Sequence, residues 1–125
     1  MKHQQIILFL ACFFCCSWAF SQQKIAIDDA TKHIGDSVTI CSKIYGGKYF
    51  ETSKSKVTLL NVGAAYPNAL LTIVIEEDAR KNFTEKPEEF FLNKEVCVSG
   101  VVKEYKGKPQ IIITKPEEII VQKKL

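Results

Sequence analysis

Between Ser37 and Tyr45 the side chains alternate with a period of two, and this rhythm restricts the folds open to the chain more than any other feature. Val38, Ile40, Ser42 and Ile44 fall on one face, and Thr39, Cys41, Lys43 and Tyr45 on the other. That is the pattern of a strand with one side buried. Gly46-Gly47 permits a bulge or bend, and Lys48-Tyr49-Phe50-Glu51 continues the strand beyond it. The polar run Thr52-Ser53-Lys54-Ser55-Lys56 then reads as a loop.

The same rhythm recurs downstream. A second strand, Val57 to Val62, turns Leu60 and Val62 to one face and Leu59 and Asn61 to the other. Tyr66-Pro67-Asn68 makes a turn, because proline presets φ and asparagine tolerates turn geometry. A third strand, Leu70 to Glu76, points Leu71, Ile73 and Ile75 inward and Thr72, Val74 and Glu76 outward. A short helix starts at Asp78, with Ala79 and Phe83 four apart on one face and able to plug the end of a barrel. Pro87 starts another helical turn, where its missing N–H costs little, and Phe90-Phe91-Leu92 add core before an Asn93-Lys94 turn. A fourth strand, Glu95 to Lys103, joins a fifth, Gln110 to Thr114, through a hairpin at Tyr105-Lys106-Gly107-Lys108, and Lys115-Pro116 ends the pairing. Five strands with a helix between the third and fourth is the order of the OB fold. The fold expected is thus mainly β, a five-stranded Greek-key barrel.

Before this pattern begins, Lys2 and His3 precede an apolar run from Ile6 to Phe20 that leads to Ala19-Phe20-Ser21 and then to polar residues. A basic start, a short apolar segment and small residues at its end are the parts of a secretory signal peptide. The run is shorter than the roughly 20 residues a membrane span needs. Lipidation at Cys12 would leave only Ile6 to Ala11 as the apolar segment, so cleavage near Ser21 is favoured. The expected division is a removed signal peptide at 1–21 and a single OB domain at 22–125, delivered to a periplasmic or extracellular space. Removal takes Cys12, Cys15, Cys16 and Trp18, and with Lys2 gone the formal charge of +3 becomes +2. That is well short of the basic excess of a dedicated nucleic-acid binder. Asp28 then reads as the N-cap of a short N-terminal helix that ends near His33, with Gly35 at its left-handed C-terminal position.

The remaining cysteines, Cys41 and Cys97, test the barrel. Its first and fourth strands are antiparallel neighbours, and both cysteines alternate outward on them, Cys41 with Thr39 and Lys43, Cys97 with Glu95 and Ser99. A bridge needs both side chains on one face, and export would permit it, so a Cys41–Cys97 disulfide is expected. Two cysteines without a nearby histidine make half a zinc site at best, and there is no Cys-x-x-Cys to lower a thiol pKa. Neither a metal nor a cofactor is expected.

From about Ala30 to Val121 the chain resembles a family of small exported OB-fold proteins, found alone or attached to secreted nucleases of the thermonuclease type. The resemblance is carried by His33-Ile34-Gly35-Asp36, Val38-Thr39-Ile40-Cys41, Leu60-Asn61-Val62-Gly63, Tyr66-Pro67-Asn68, Val74-Ile75, Arg80 with Phe83, Val96-Cys97-Val98-Ser99-Gly100 and Tyr105-Lys106-Gly107-Lys108-Pro109-Gln110-Ile111. It implies the fold and a link to nucleic acid. Where such proteins often carry aromatics on the second and third strands, this chain has Leu59 and Glu76. An aliphatic and a carboxylate cannot stack bases, and Glu76 beside Glu77 and Asp78 repels phosphate.

Lys43, Tyr45, Lys48 and Tyr49 on the first strand, Lys54 and Lys56 in the first loop, and Tyr105, Lys106 and Lys108 in the last hairpin can form a basic groove interleaved with aromatics. The same lysines would also keep an exported protein soluble while the tyrosines shelter core edges. Arg80 can contact a phosphate, or pair with Glu76 or Glu77 one helical turn away. Once the signal is removed, His33 is the sole histidine, and no Ser-His-Asp or Cys-His set is visible. The chain therefore reads as a binding module and not an enzyme. The leading expectation is weak, sequence-tolerant binding of single-stranded DNA or RNA outside the cytoplasm, with no stable membrane insertion after cleavage. The rival is an envelope module, protein-interacting or stress-associated, using the same face for a protein partner or small ligand.

Overall fold

The computed structural model describes residues 22–123, so the signal peptide expected at 1–21 lies outside the described residues. A short strand β1 (Gln23–Ile25) and a 3-10 helix, Ile27–His33, lead into β2 (Ser37–Tyr49), the longest strand. There follow β3 (Thr58–Val62), β4 (Leu71–Ile75), the single-turn helices α1 (Glu77–Arg80) and α2 (Pro87–Phe90), β5 (Glu95–Tyr105) and β6 (Lys108–Ile113). A 3-10 turn, Pro116–Glu118, then delivers the chain to β7 (Ile119–Val121).

Five of these strands close on themselves. β2 runs antiparallel to β3 and β3 to β4; β4 is parallel to β6, β6 antiparallel to β5, and β5 returns to β2 from Ser37↔Val101 to Lys43↔Glu95. The result is the OB-fold barrel that the alternation predicts, with the helices between its third and fourth strands. The inward positions form one core: Ile40, Ile44, Leu60, Ile73, Val98 and Ile111 are without solvent exposure. β1 and β7 lie outside the closed barrel, β1 parallel to the start of β2 and β7 antiparallel to the start of β5. The pairing that Lys115-Pro116 is expected to end therefore resumes at Ile119.

Gly46-Gly47 accompanies a bulge with a large consequence. Ile44 pairs with Val62 but Gly46 pairs with Asn61, which leaves Tyr45 as an extra residue. One inserted residue inverts the side-chain phase of everything after it. Lys48 consequently stands opposite Leu59 on the outer face, while Tyr49 stands opposite the fully buried Thr58. Gly47 faces inward where no side chain fits, since a Cβ there would lie 2.8 Å from the Leu59 carbonyl oxygen and 2.8 Å from Leu60 Cδ2.

Cys41 and Cys97 are direct cross-strand partners, and their sulfurs are bonded at 2.08 Å. Two outward residues directly opposed on adjacent strands present their side chains to one another on the same face. The hairpin is tighter than expected, a two-residue turn in which Lys106 (φ 50°) and Gly107 (φ 77°) both take left-handed values, the geometry that matches strand twist.

Several local expectations need correction. The N-terminal helix starts at Ile27, not after Asp28; Ala26 occupies the cap without a side-chain bond, and Asp28 and Asp29 sit in the first turn. There a negative charge is favourable beside free N–H groups. Glu76 leaves the sheet and becomes the N-cap residue of α1. Of Phe90-Phe91-Leu92 only Phe91 enters the core, because one turn of helix can aim only one of three successive side chains inward; Phe90 and Leu92 stay exposed. Phe83 and Phe91 meet edge to face with centroids 6.2 Å apart beneath the barrel.

Candidate functional site

The outer face of β3, β4 and β6 carries a cleft of about 700 Å³. Leu59, Thr72, Val74 and Gln110 make its floor, all of them outward by the strand alternation. Three chain reversals raise its walls. The first, between β2 and β3, contributes Phe50, Ser53, Ser55 and Val57. It is folded around Ser53, whose hydroxyl donates to the Phe50 carbonyl at 3.0 Å and accepts from the Lys56 N–H at 3.1 Å. Phe50 N–H to the Val57 carbonyl, at 2.9 Å, closes its base. The second is the turn bearing Tyr66, which is 82% exposed and joined to Pro67 by a cis peptide bond. The third is the β5–β6 hairpin, with Tyr105, Lys106, Lys108 and Pro109. Lys108 Nζ donates to the Pro67 carbonyl at 2.9 Å and so ties the second reversal to the third.

The sequence-derived candidates divide in this frame. Tyr105, Lys106 and Lys108 line the cleft. Lys54 and Lys56 are exposed on the loop that forms its first wall. Lys48 stands beside the floor as the cross-strand partner of Leu59, its Nζ 5.1 Å from the centre of the Phe50 ring. Lys43 lies before the bulge and Tyr45 in it, both outside the cleft lining; Lys43 faces Glu95 across the ladder and stacks over Tyr45. Tyr49, turned inward by the bulge, is committed elsewhere: its hydroxyl donates to Glu77 at 2.7 Å and its ring lies 3.7 Å under the Arg80 guanidinium.

Phe50 and Tyr66 complete an aromatic rim that sequence reasoning did not single out. A signal was available for Tyr66, since an aromatic in a tight turn between strands has no core to enter. Phe50 gave none, because its direction depends on where the strand stops.

Arg80 is occupied, though by neither carboxylate expected from its own helix. It forms a two-pronged pair with Glu88, at 2.6 and 3.0 Å, and donates to Thr58 Oγ1 at 2.7 Å. Both side chains of the pair are nearly buried, 13% and 15% exposed. The hydrogen bond to Arg80 holds the Glu88 carboxyl below its usual range, and the same bond pushes the guanidinium ionisation further up. The bond to Glu77 likewise raises the Tyr49 hydroxyl. This cluster clasps α1 and α2 to the barrel end, and it engages the end-on fork of the guanidinium within the protein.

Among the described residues, no three His, Cys, Asp or Glu side chains are grouped to hold a metal ion, and no helix is long and apolar enough to cross a membrane.

No family model and no curated protein matches the chain. Solved structures share its fold. A chain in the crystal structure of yeast Stn1 and Ten1 superposes with a TM-score of 0.60 at 11% identity, over 86% of this chain and 66% of that one. A protein assigned as an aspartyl-tRNA synthetase from Leishmania major Friedlin matches with a TM-score of 0.50 at 11% identity, over 81% of this chain. The chain spans only 21% of the synthetase chain and 66% of the yeast chain.

Proposed function

We propose that this chain is an exported binding module that holds single-stranded DNA or RNA weakly, with little sequence preference, in the β3–β4–β6 cleft. The observation that carries the reading is the composition of the cleft. Phe50, Tyr66 and Tyr105 stand at three separate chain reversals, Lys106 and Lys108 stand among them, and no carboxylate occurs among the described residues of its lining. Lysines attract the phosphate backbone whatever its sequence, and each base stacked on an aromatic gains about 1–3 kcal/mol. The floor offers aliphatic and small polar side chains, so stacking is confined to the rim; this keeps the affinity low. The disulfide suits an oxidising compartment, which accords with the signal-like N-terminus. The resemblance to OB proteins carried with secreted nucleases, and the shared barrel with a protein assigned as a tRNA synthetase, add support. The module acts by binding and not by catalysis.

Fluorescence anisotropy with labelled single strands tests this, and the slope of log K against log salt identifies the contacts. Each phosphate neutralised on a single strand contributes about −0.7 to that slope. Binding that weakens with this dependence is expected. Absence of binding at low salt, or binding indifferent to salt, overturns the reading and favours a protein or small-ligand partner on the same face.

A further inference from the structure

A second depression, of about 560 Å³, abuts the cleft along β4, β5 and β6. The two share a seam. Val74 lines the cleft and its ladder partner Ile112 lines the depression; Gln110 lines the cleft and its partner Lys103 the depression. A strand leaving the cleft across β6 must therefore pass over this surface, where the chemistry changes. Beyond the seam stand the carboxylates of Glu76 and Glu118. Glu118 is fixed in place, its two oxygens accepting from the Thr114 N–H at 3.2 Å and the Thr114 hydroxyl at 2.8 Å. Glu76 is exposed at the start of α1, followed directly by Glu77 and Asp78. The remaining polar side chains of the depression, Gln22, Ser37 and Ser99, are neutral, and Lys103 sits at the seam itself.

We propose that this acidic border ends the binding site, so that the module takes a short segment of strand, about four nucleotides or fewer, at the low end for one OB barrel. This rests on the cleft holding nucleic acid as proposed above. Phosphates are attracted by Lys106, Lys108 and the lysines of the β2–β3 loop, and repelled once they reach Glu76 and Glu118. The border thus selects against a continuous strand and favours short fragments or free ends.

The test measures anisotropy of labelled oligothymidylates from about 2 to about 16 nucleotides at low and moderate salt. The proteins compared are wild type, Glu76→Gln, and Glu76→Gln combined with Glu118→Gln. Wild-type affinity is expected to level off by about four nucleotides, rising afterwards only with the number of positions a longer strand offers, and the salt slope stays constant with length. In the variants the shortest oligonucleotides bind as before, longer ones bind more tightly, and the slope steepens by about 0.7 per added phosphate contact. Glu76→Gln alone, at an exposed position, keeps the test valid if loss of the Thr114 contact destabilises the double variant. A wild-type affinity and slope that climb through the longest strand overturn the border, as does a length dependence in the variants equal to that of wild type. If no oligonucleotide of any length binds wild type at low salt, the cleft reading itself fails and takes the border with it.

Discussion

Replacing both Cys41 and Cys97 by alanine separates what the disulfide does from what the strand ladder does. The bond joins positions 56 residues apart. For a loop of that length the chain-entropy relation gives about 14 cal/mol/K, or about 4 kcal/mol at room temperature. In the folded state the β2–β5 ladder already holds these positions as direct partners, so the cost falls on the unfolded chain, which becomes free to expand. A domain of roughly 100 residues loses about 4–8 °C of Tm per kcal/mol. The midpoint seen by calorimetry or circular dichroism should therefore drop by about 20 °C, and the urea dependence should steepen because more surface is exposed on unfolding. Below its transition the variant should bind oligonucleotides as wild type does, since neither cysteine lines the cleft. A drop of less than about 5 °C, with the urea dependence unchanged, would refute the unfolded-state argument. Loss of binding in a still-folded variant would refute the claim that the bond and the cleft are independent.

Other perturbations follow from the same geometry. Arg80→Ala leaves Glu88 and Thr58 without their shared donor and should cost about 2–3 kcal/mol in a urea titration. Because the Glu88 carboxyl is held below its ordinary range, its contribution is complete above the usual glutamate pKa and fades as pH falls through the lowered value; Glu88→Gln should flatten that acid limb of the stability curve. Gly47→Ala drives a methyl into the Leu59 carbonyl and the Leu60 side chain and should destabilise by about 1–3 kcal/mol, measured by thermal melting. Tyr105→Ala should weaken oligonucleotide binding by about 1–3 kcal/mol with the salt slope unchanged, whereas Lys106→Ala should make that slope shallower by about 0.7.

The barrel was legible because its information is local. Alternation in Val38 to Ile44, Thr58 to Val62 and Leu71 to Ile75 tracks burial, apart from Ser42, half-buried on the inner face, and Val74, buried on the outer one, and the outward phase of Cys41 and Cys97 carries over to their meeting. The site was less legible, and β2 shows why. Counting by twos from Lys43 puts Tyr49 on the surface; Gly46-Gly47 signalled a permitted bulge or bend, but only the register with β3 shows that Tyr45 is the inserted residue and that Tyr49 is turned under. The Arg80 pairing escaped for a similar reason. Its partner Glu88 belongs to a separate turn of helix, brought near by the loop between α1 and α2, whereas helical spacing can only suggest partners on the same helix. β1 and β7 are three residues each, too short for any repeat to show.

Those two strips also bear on how the molecule behaves in a crowd. Beside the closed barrel, Gln23–Ile25 and Ile119–Val121 each pair on one side only, and both are open to lateral strand addition. Each is only three residues long, enough for a few hydrogen bonds with an incoming chain, and Lys24 places a charge in the middle of the first. A neighbouring copy that docks along either strip thus finds little to grip.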